Sequence, residues 1–151
     1  MSKVLVLYHS QEHGNTEAMA KAVAEGARDA GADAMLVNTN KKRLKVDEYR
    51  EADAVAFGTP DYFGYIAGTL KTFADDWYIA KGSDRTGLEG KPYALFYTHG
   101  GGGNVRDPFE KLFKFIGGKK IGETVESRGK PSAAVLQACR ELGAQVGKAA
   151  K

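Results

Sequence analysis

The chain has 151 residues, of which 42% are hydrophobic and 27% are charged, and its formal net charge is +3. These values predict one globular domain over residues 1–151 with a buried core. The single cysteine, Cys139, excludes an internal disulfide and a multi-cysteine metal site, and its place on an apolar helix face predicts a buried, unreactive thiol. No apolar stretch reaches the roughly 20 residues that span a bilayer. We therefore expect a cytoplasmic protein with no membrane partner.

The first half of the chain alternates strand and helix signals. Lys3–Tyr8 is a continuous run of apolar and β-forming residues, which predicts a strand buried on both faces. Apolar residues at helical spacing follow and predict a helix. We expect this helix to end at Gly31, because glycine is typical of a helix end. Asp33–Asn38 predicts a second strand, and the charged residues 39–51 predict a loop with a short helical turn. Ala52–Gly58 predicts a third strand, which the following Gly-Thr-Pro should end, because proline does not continue a central strand.

The second half of the chain repeats this alternation. Apolar spacing predicts a helix over residues 68–80, and Tyr93–Thr98 predicts a fourth buried strand. A further helix is predicted over residues 105–116. In Lys120–Glu126, apolar residues alternate with polar ones, which predicts a fifth strand at the edge of the sheet. A final helix is expected from about Pro131.

Five strand and helix signals in alternation predict an α/β protein. The expected architecture is a five-stranded parallel sheet with helices on both faces, joined by right-handed crossovers. In such sheets the ligand lies outside the carboxyl ends of the strands. Function is therefore expected in the loops after strands one, three and four.

The loop after the first strand has the composition of a phosphate site. It runs from Ser10 to Thr16 and leads directly into a helix N-terminus, whose free N–H groups and partial positive charge favour an anion. Ser10, Asn15 and Thr16 add side-chain donors, and Gly14 allows close approach of the backbone. The competing interpretation is that Asn15 or Thr16 only caps the helix. The loop has no Lys or Arg, which argues against a magnesium-bound nucleoside triphosphate.

The other two loops offer aromatic rings and glycine backbone. After strand three, Tyr62 and Phe63 lie between Pro60 and Gly64, where they either stack on a flat heterocycle or cover the core. After strand four, His99 precedes four glycines, whose N–H groups either meet the polar edge of a ligand or form a mobile turn. No metal site is expected, because the three histidines lack ligand spacing and a cysteine partner.

Together, the three loops fit a phosphorylated planar ring system. The segments "KVLVLYHS", "GNT", "EAMAKAVAEGA", "GTPDYFG" and "THGGGG" resemble the flavodoxin-like family of FMN-binding proteins. The first half is most similar to the tryptophan-repressor-binding-protein type of NAD(P)H:quinone oxidoreductases. The resemblance implies a flavodoxin-like three-layer sandwich with strand order 2-1-3-4-5 and a non-covalently bound FMN.

The resemblance also implies which residues contact the cofactor. The first loop would hold the phosphate, the second would wrap the isoalloxazine ring, and the third would contact its pyrimidine edge. The residues so assigned are Ser10, Glu12, His13, Gly14, Asn15, Thr16, Thr59, Pro60, Asp61, Tyr62, Phe63, Gly64, Thr98, His99, Gly100, Gly101, Gly102 and Gly103.

The chain departs from the patterns of its relatives in several respects. Its first loop is one residue longer, with His13 as the extra residue. The segments that quinone reductases insert after strand two and near strand five are missing, as is the insertion of long-chain flavodoxins in strand five. The chain therefore resembles a short-chain flavodoxin. Flavodoxins are usually strongly acidic, whereas this chain is slightly basic.

Two functions remain open from the sequence, and both use FMN. The favoured one is electron transfer between redox partners, either proteins or small molecules, by a monomer or weak homo-oligomer without catalytic side chains. The alternative is an FMN-dependent NAD(P)H:quinone oxidoreductase. A phosphorylation-controlled signalling domain would need an acidic pair after strand one and a lysine after strand four, and neither is present. The basic run at Lys41–Lys45 is interpreted as a solvated turn, so no nucleic-acid partner is expected.

Overall fold

The computed structural model describes residues 1–151, in which five parallel strands form one sheet with helices on both faces. The strands are β1 (Lys3–Tyr8), β2 (Asp33–Asn38), β3 (Ala54–Pro60), β4 (Tyr93–His99) and β5 (Val125–Arg128). The helices are α1 (Asn15–Asp29), α2 (Val46–Arg50), α3 (Gly68–Ser83), α4 (Arg106–Ile116) and α5 (Ala133–Ala149). The strand order β2-β1-β3-β4-β5 confirms the predicted fold class. None of these helices combines the length and the apolar character needed to cross a membrane.

The alternation of side chains along β1 divides the core into two layers. Leu5 and Leu7 belong to the apolar cluster formed with α2, α3 and α4, whereas Val4 and Val6 belong to the cluster formed with α1 and α5. Successive residues of a strand face opposite sides of the sheet, so a strand between two helical layers is apolar at every position. This explains why the continuous apolar run predicted the bounds of β1 correctly.

Glycines bring α1 and α5 into close contact on one face of the sheet. A Cβ atom on Gly143 of α5 would lie 1.9 Å from the carbonyl oxygen of Val23 in α1. A Cβ atom on Gly26 of α1 would lie 1.9 Å from the carbonyl oxygen of Arg140 in α5. Only glycine is compatible with these backbone approaches, and each helix supplies one of the two.

Three predicted strands have different bounds in the structure. β4 ends at His99 rather than Thr98, and β3 is Ala54–Pro60 rather than Ala52–Gly58. The pairing of β3 with β1 ends at Gly58, which lies opposite Tyr8. Pro60 therefore pairs only with β4, at Thr98. No strand lies beside Pro60 on the β1 side, so the backbone N–H that proline lacks is not needed there. The fifth strand is Val125–Arg128 and not Lys120–Glu126.

The fifth strand is displaced because the chain approaches β4 twice. Lys120 forms an isolated parallel bridge with Tyr93, but Gly122 then adopts a positive φ of 64°, which breaks the extended run. The chain returns to β4 at Val125, which pairs with Phe96. The ends of two helices differ slightly from the prediction. α3 extends to Ser83, and α5 begins at Ala133. Ser132 caps α5, because its hydroxyl accepts from the Val135 N–H.

The Cys139 thiol is expected to resist modification in the folded protein. Its side chain is fully buried in the α1–α5 layer, and burial raises its pKa to about 12. Thiolate is the reactive form, so an aromatic disulfide reagent at pH 8 should leave the native protein unlabelled and should label one thiol after unfolding in guanidinium. Rapid labelling of the native protein would contradict the buried position.

Candidate functional site

The loops after β1, β3 and β4 meet in one cleft at the carboxyl end of the sheet. Twelve of the predicted site residues line it, namely Ser10, Glu12, His13, Gly14, Asn15, Thr16, Pro60, Asp61, Tyr62, Thr98, His99 and Gly100. Gln11 and Gly129 complete the lining. The topology explains this convergence, because β1 and β4 both pair with β3 and all three strands end on the same side.

The first loop presents the N-terminus of α1 to this cleft. Gly14 is the residue before the helix, in a left-handed conformation with φ 72°, and the cap position therefore has no side chain. The interpretation of Asn15 or Thr16 as a simple cap is therefore wrong. The amide N–H groups in the first turn of a helix have no acceptor within the helix. In α1, only the Glu17 N–H has a side-chain acceptor, since it donates to Ser10 Oγ at 3.2 Å. The remaining N–H groups suit an anion.

A hydroxyl pair joins the first and third loops. The Oγ1 atoms of Thr16 and Thr98 lie 2.9 Å apart, and both side chains are buried. This contact links the start of α1 to the end of β4, although the two residues are 82 positions apart in sequence. It therefore closes the cleft at its base.

The second loop is fixed by a single carboxylate. Asp61 Oδ1 accepts from the Gly64 N–H at 2.8 Å, and Oδ2 accepts from the Val105 N–H at 3.1 Å. The first bond closes the turn at its own loop, and the second ties that loop to the segment before α4. Asp61 thus braces the aromatic turn and keeps Tyr62 on the cleft wall.

Six predicted site residues lie outside the cleft wall, namely Thr59, Phe63, Gly64, Gly101, Gly102 and Gly103. Thr59 is fully buried, and its hydroxyl accepts from the Ala67 N–H and donates to the Pro60 carbonyl. It supports the second loop from below. Phe63 projects fully into solvent at a positive φ of 59°, which is an uncommon conformation for a side chain of this size. A contact between these six residues and a ligand stays a prediction.

Three residues of the site were missed from the sequence. Gln11 lines the cleft from the first loop, and Gly129 reaches it from the end of β5. Asn38, at the end of β2, accepts from the Ser10 N–H at 3.0 Å and donates to the Ser10 carbonyl at 2.9 Å. The signal for Asn38 was available, because a polar residue at the carboxyl end of a buried strand lies beside the loop of the neighbouring strand.

The cleft wall carries no lysine or arginine, and its charged side chains are the carboxylates of Glu12 and Asp61. Burial, and next the charge of Glu12, raises the pKa of Tyr62, so its hydroxyl stays protonated. An anion bound here would therefore depend on hydroxyl, amide and backbone N–H donors rather than on a cationic side chain.

A hydrogen-bonded network around the half-exposed carboxylate of Glu126 borders the third loop. Glu126 Oε2 accepts from the Tyr97 hydroxyl at 2.5 Å and lies 3.5 Å from His99 Nε2. Burial, and then the bond to Glu126, raises the pKa of Tyr97 to about 12. The His99 ring, which lines the cleft, has a buried Nδ1 without a protein partner. The network fixes the ring of His99 against the end of β5.

These features fit a phosphorylated planar ring. The α1 N-terminus and the hydroxyls of Ser10 and Thr16 supply neutral donors for a phosphate. Tyr62 supplies an aromatic wall, while His99 and Gly100 supply ring and backbone groups on the opposite side. Which of these residues contact a ligand stays a prediction.

Comparison with known proteins identifies the family. The family model described as Flavodoxin matches residues 6–143. An NAD(P)H dehydrogenase (quinone) of Archaeoglobus fulgidus is 33% identical over 132 residues, and the match covers 67% of this chain and 65% of that relative.

Solved structures agree with this match. A flavodoxin from the domain Archaea has a TM-score of 0.82 and 25% identity, with 98% of each chain covered. A WrbA-like flavodoxin from Agrobacterium tumefaciens has a TM-score of 0.78 and 28% identity, with 99% of this chain and 98% of that chain covered. Because the family model spans most of the sequence, the chain belongs to the flavodoxin family, whose members bind a flavin.

Proposed function

We propose that this protein binds FMN in the cleft and carries electrons between redox partners. The observation that carries the proposal is the convergence of the α1 N-terminus, the aromatic ring of Tyr62 and the backbone of Gly100 in one cleft without lysine or arginine. A nucleoside triphosphate site would be expected to use a lysine and magnesium ligands. A phosphate held by neutral donors beside a stacking surface is the chemistry of a flavin mononucleotide.

Each loop has a defined part in this proposal. Ser10, Asn15, Thr16 and the free amides of α1 hold the phosphate, while Asn38 fixes the backbone of Ser10. Tyr62 covers one wall and limits access of water to it. FMN, when bound, supplies the electron-accepting and electron-donating chemistry, so the chain needs no catalytic side chain. A cytoplasmic location and a monomeric or weakly associated state stay predictions.

A second candidate is FMN-dependent NAD(P)H:quinone oxidoreduction. The observations that favour it are the 33% identity to the archaeal NAD(P)H dehydrogenase (quinone) and the 28% identity to the WrbA-like protein. The matched region spans only 65% of the archaeal relative, so the activity of that whole protein is not transferred here. The open wall beside His99 and Gly100 would have to admit a nicotinamide and a quinone in turn.

Turnover with NAD(P)H separates the two candidates. The FMN-loaded protein is mixed with NADH or NADPH and a soluble quinone, and nicotinamide oxidation is followed at 340 nm. For a carrier we expect turnover no faster than that of free FMN at the same concentration. Rapid, saturable, quinone-dependent turnover would replace the carrier proposal by the reductase.

A further inference from the structure

The outer surfaces of α3 and α4 expose large apolar side chains to which the proposed function gives no role. Tyr78 and Ile79 lie in the C-terminal half of α3, and Phe115 lies in the last turn of α4. Their exposures are 70%, 72% and 75%, and no other helix of this protein exposes a large apolar side chain. Isolated exposed apolar residues are ordinary on protein surfaces, whereas a group of them marks an interaction site. The relative placement of these three residues therefore decides whether they form one surface.

Contacts with the neighbouring elements orient α3. Both α3 and α4 pack on the same face of the sheet, where the rings of Phe73 and Phe113 contact Phe57, with centroids 6.0 and 4.2 Å away. Asp76 of α3 forms an ion pair at 2.8 Å with Arg43, in the segment before α2. One flank of α3 therefore faces α2, and its other flank faces α4.

The same reasoning orients α4. The carboxylate of Glu110 accepts from the hydroxyl of Thr124, directly before β5, at 3.2 Å, so this flank of α4 faces the β5 edge and the opposite flank faces α3. Successive residues of an α-helix are rotated by about 100° around its axis. Phe115 therefore lies roughly 140° from Glu110, and Tyr78 lies roughly 160° from Asp76. The two aromatic side chains thus lie on the flanks of α3 and α4 that face each other, at the centre of one exposed surface.

Lysines without acidic partners lie beside Phe115. Lys111 is one turn before it, Lys114 directly precedes it, and Lys119 follows the end of α4. All three are exposed, and none forms an ion pair with a carboxylate. Asp107, in the first turn, is the one exposed acid of this helix. The surface is therefore both apolar and cationic. This surface, the α3–α4 patch, consists of Tyr78, Ile79, Lys111, Lys114, Phe115 and Lys119.

The type and arrangement of the cations select the occupant of the α3–α4 patch. A two-fold axis through the patch would place its lysines against those of a second copy, where like charges repel. Interfaces with other proteins are enriched in arginine and depleted in lysine, whereas the free cations here are all lysine. A surface that lies in a lipid headgroup layer combines lysines with exposed aromatic and aliphatic side chains, which is the composition of the patch. An anionic bilayer is therefore the occupant that the patch fits best.

We propose that the α3–α4 patch docks on an anionic phospholipid surface. Its aromatic and aliphatic side chains enter the headgroup layer, while its lysines extend to the lipid phosphates. Both helices run away from the carboxyl end of the sheet, so docking through their C-terminal halves leaves the cleft open. The expectation of no membrane partner came from the lack of a spanning stretch, which a surface contact does not need. The inference is independent of FMN.

A fluorophore on the patch tests the orientation of docking. Ile79→Cys is labelled with an environment-sensitive dye, and Lys148→Cys, at an exposed position of α5 on the other face of the sheet, is the control. Cys139 is buried, so the introduced thiol is the one that reacts. On vesicles of phosphatidylcholine with about one third phosphatidylglycerol, we expect a blue shift of the dye at residue 79 and none at residue 148. Equal shifts at both positions, or none at either, would overturn the inference.

Cosedimentation with the same vesicles measures the contribution of charge. We expect at least about tenfold weaker binding to pure phosphatidylcholine, and a similar loss as salt rises from about 0.05 M to about 0.5 M. Lys114→Glu should weaken binding about tenfold. Lys148→Glu is the matched control, because both lysines are exposed in the last turn of a helix and each substitution lowers the net charge by two, from +3 to +1. Equal losses in the two variants would contradict docking through this face.

A serine variant measures the contribution of the apolar side chains. Phe115 is 75% exposed, so Phe115→Ser should keep the urea midpoint of the wild type while it loses about tenfold in vesicle affinity. Phe63→Ser removes a fully exposed phenylalanine beside the cleft, and its vesicle affinity should stay that of the wild type. Unchanged vesicle affinity in Phe115→Ser would overturn the proposed contact.

The outcomes keep this inference separate from the proposed function. A wild type that does not bind anionic vesicles at low salt overturns the inference, even if FMN binds tightly. A dimer in analytical ultracentrifugation that Phe115→Ser dissociates would assign the patch to a second copy and overturn the contact with lipid. If the protein binds anionic vesicles through the patch but binds no FMN, the proposed function fails and the inference stands.

Discussion

Replacing Gly143 by alanine is expected to destabilise the protein by about 3 kcal/mol or more, which is a large part of a typical stability of roughly 5–15 kcal/mol. The added Cβ would lie 1.9 Å from the carbonyl oxygen of Val23, so α1 and α5 must separate. Separation exposes apolar surface in the layer that contains Val23, Cys139 and Leu142. Urea unfolding followed by circular dichroism measures the change.

Gly82→Ala is the matched control for this variant. Gly82 also lies in a helix, α3, but a Cβ atom there has no neighbour within 4 Å. Alanine favours a helix over glycine by up to about 1 kcal/mol, so this variant should be neutral or slightly more stable. Equal urea midpoints for the two variants would contradict the close crossing of α1 and α5.

Replacing Thr16 by glutamate is expected to weaken FMN binding at least about 100-fold, equivalent to roughly 2.7 kcal/mol. The Thr16 side chain is 2% exposed, lines the cleft and contacts Thr98 across it. A carboxylate there would face the phosphate in a partly desolvated site, where like charges repel by several kcal/mol. Fluorescence titration of the apoprotein with FMN gives the dissociation constants.

Two comparisons separate this charge effect from a loss of structure. Riboflavin lacks the phosphate, so its affinity should change much less than that of FMN. Asn15→Asp introduces a charge with almost no change of volume at the first residue of α1. Negative charge stabilises a helix N-terminus, so this variant should unfold no more easily while binding FMN more weakly. Equal losses for FMN and riboflavin, or unchanged FMN affinity in both variants, would contradict the assignment of the phosphate site.

The bounds of the first two strands are the ones that the sequence predicted best. β1 lies inside the sheet and is a short, continuous apolar run, whereas β2 is an edge strand with Asp33 and Met35 exposed, and its bounds follow from the turn residues on both sides. The fifth strand was misplaced, because an edge strand of four residues carries little pattern. Its position depends on the positive φ of Gly122, which tertiary contacts select and sequence spacing does not reveal.

The candidate site was predictable as a set of loops but not as a set of contacts. Alternating elements and the rule for parallel sheets located the three loops, because chain connectivity alone determines where strand ends meet. Which side chains face the cleft depends on local turns. Phe63 projects into solvent at φ 59°, while its neighbour Tyr62 lines the wall. Gly129 lines the cleft directly after β5, which ends at Arg128, two residues beyond the predicted end.

The central claim is that the cleft binds FMN, and thermal unfolding of the apoprotein with and without FMN tests it most directly. At a free FMN concentration of 100 times the dissociation constant, binding should add about 2.7 kcal/mol of stability. For a domain of this size the melting temperature should then rise by roughly 5–10 °C. A flavin absorbance band that follows the protein through gel filtration should accompany that rise. An unchanged melting temperature, with no flavin retained by the protein, would contradict the account.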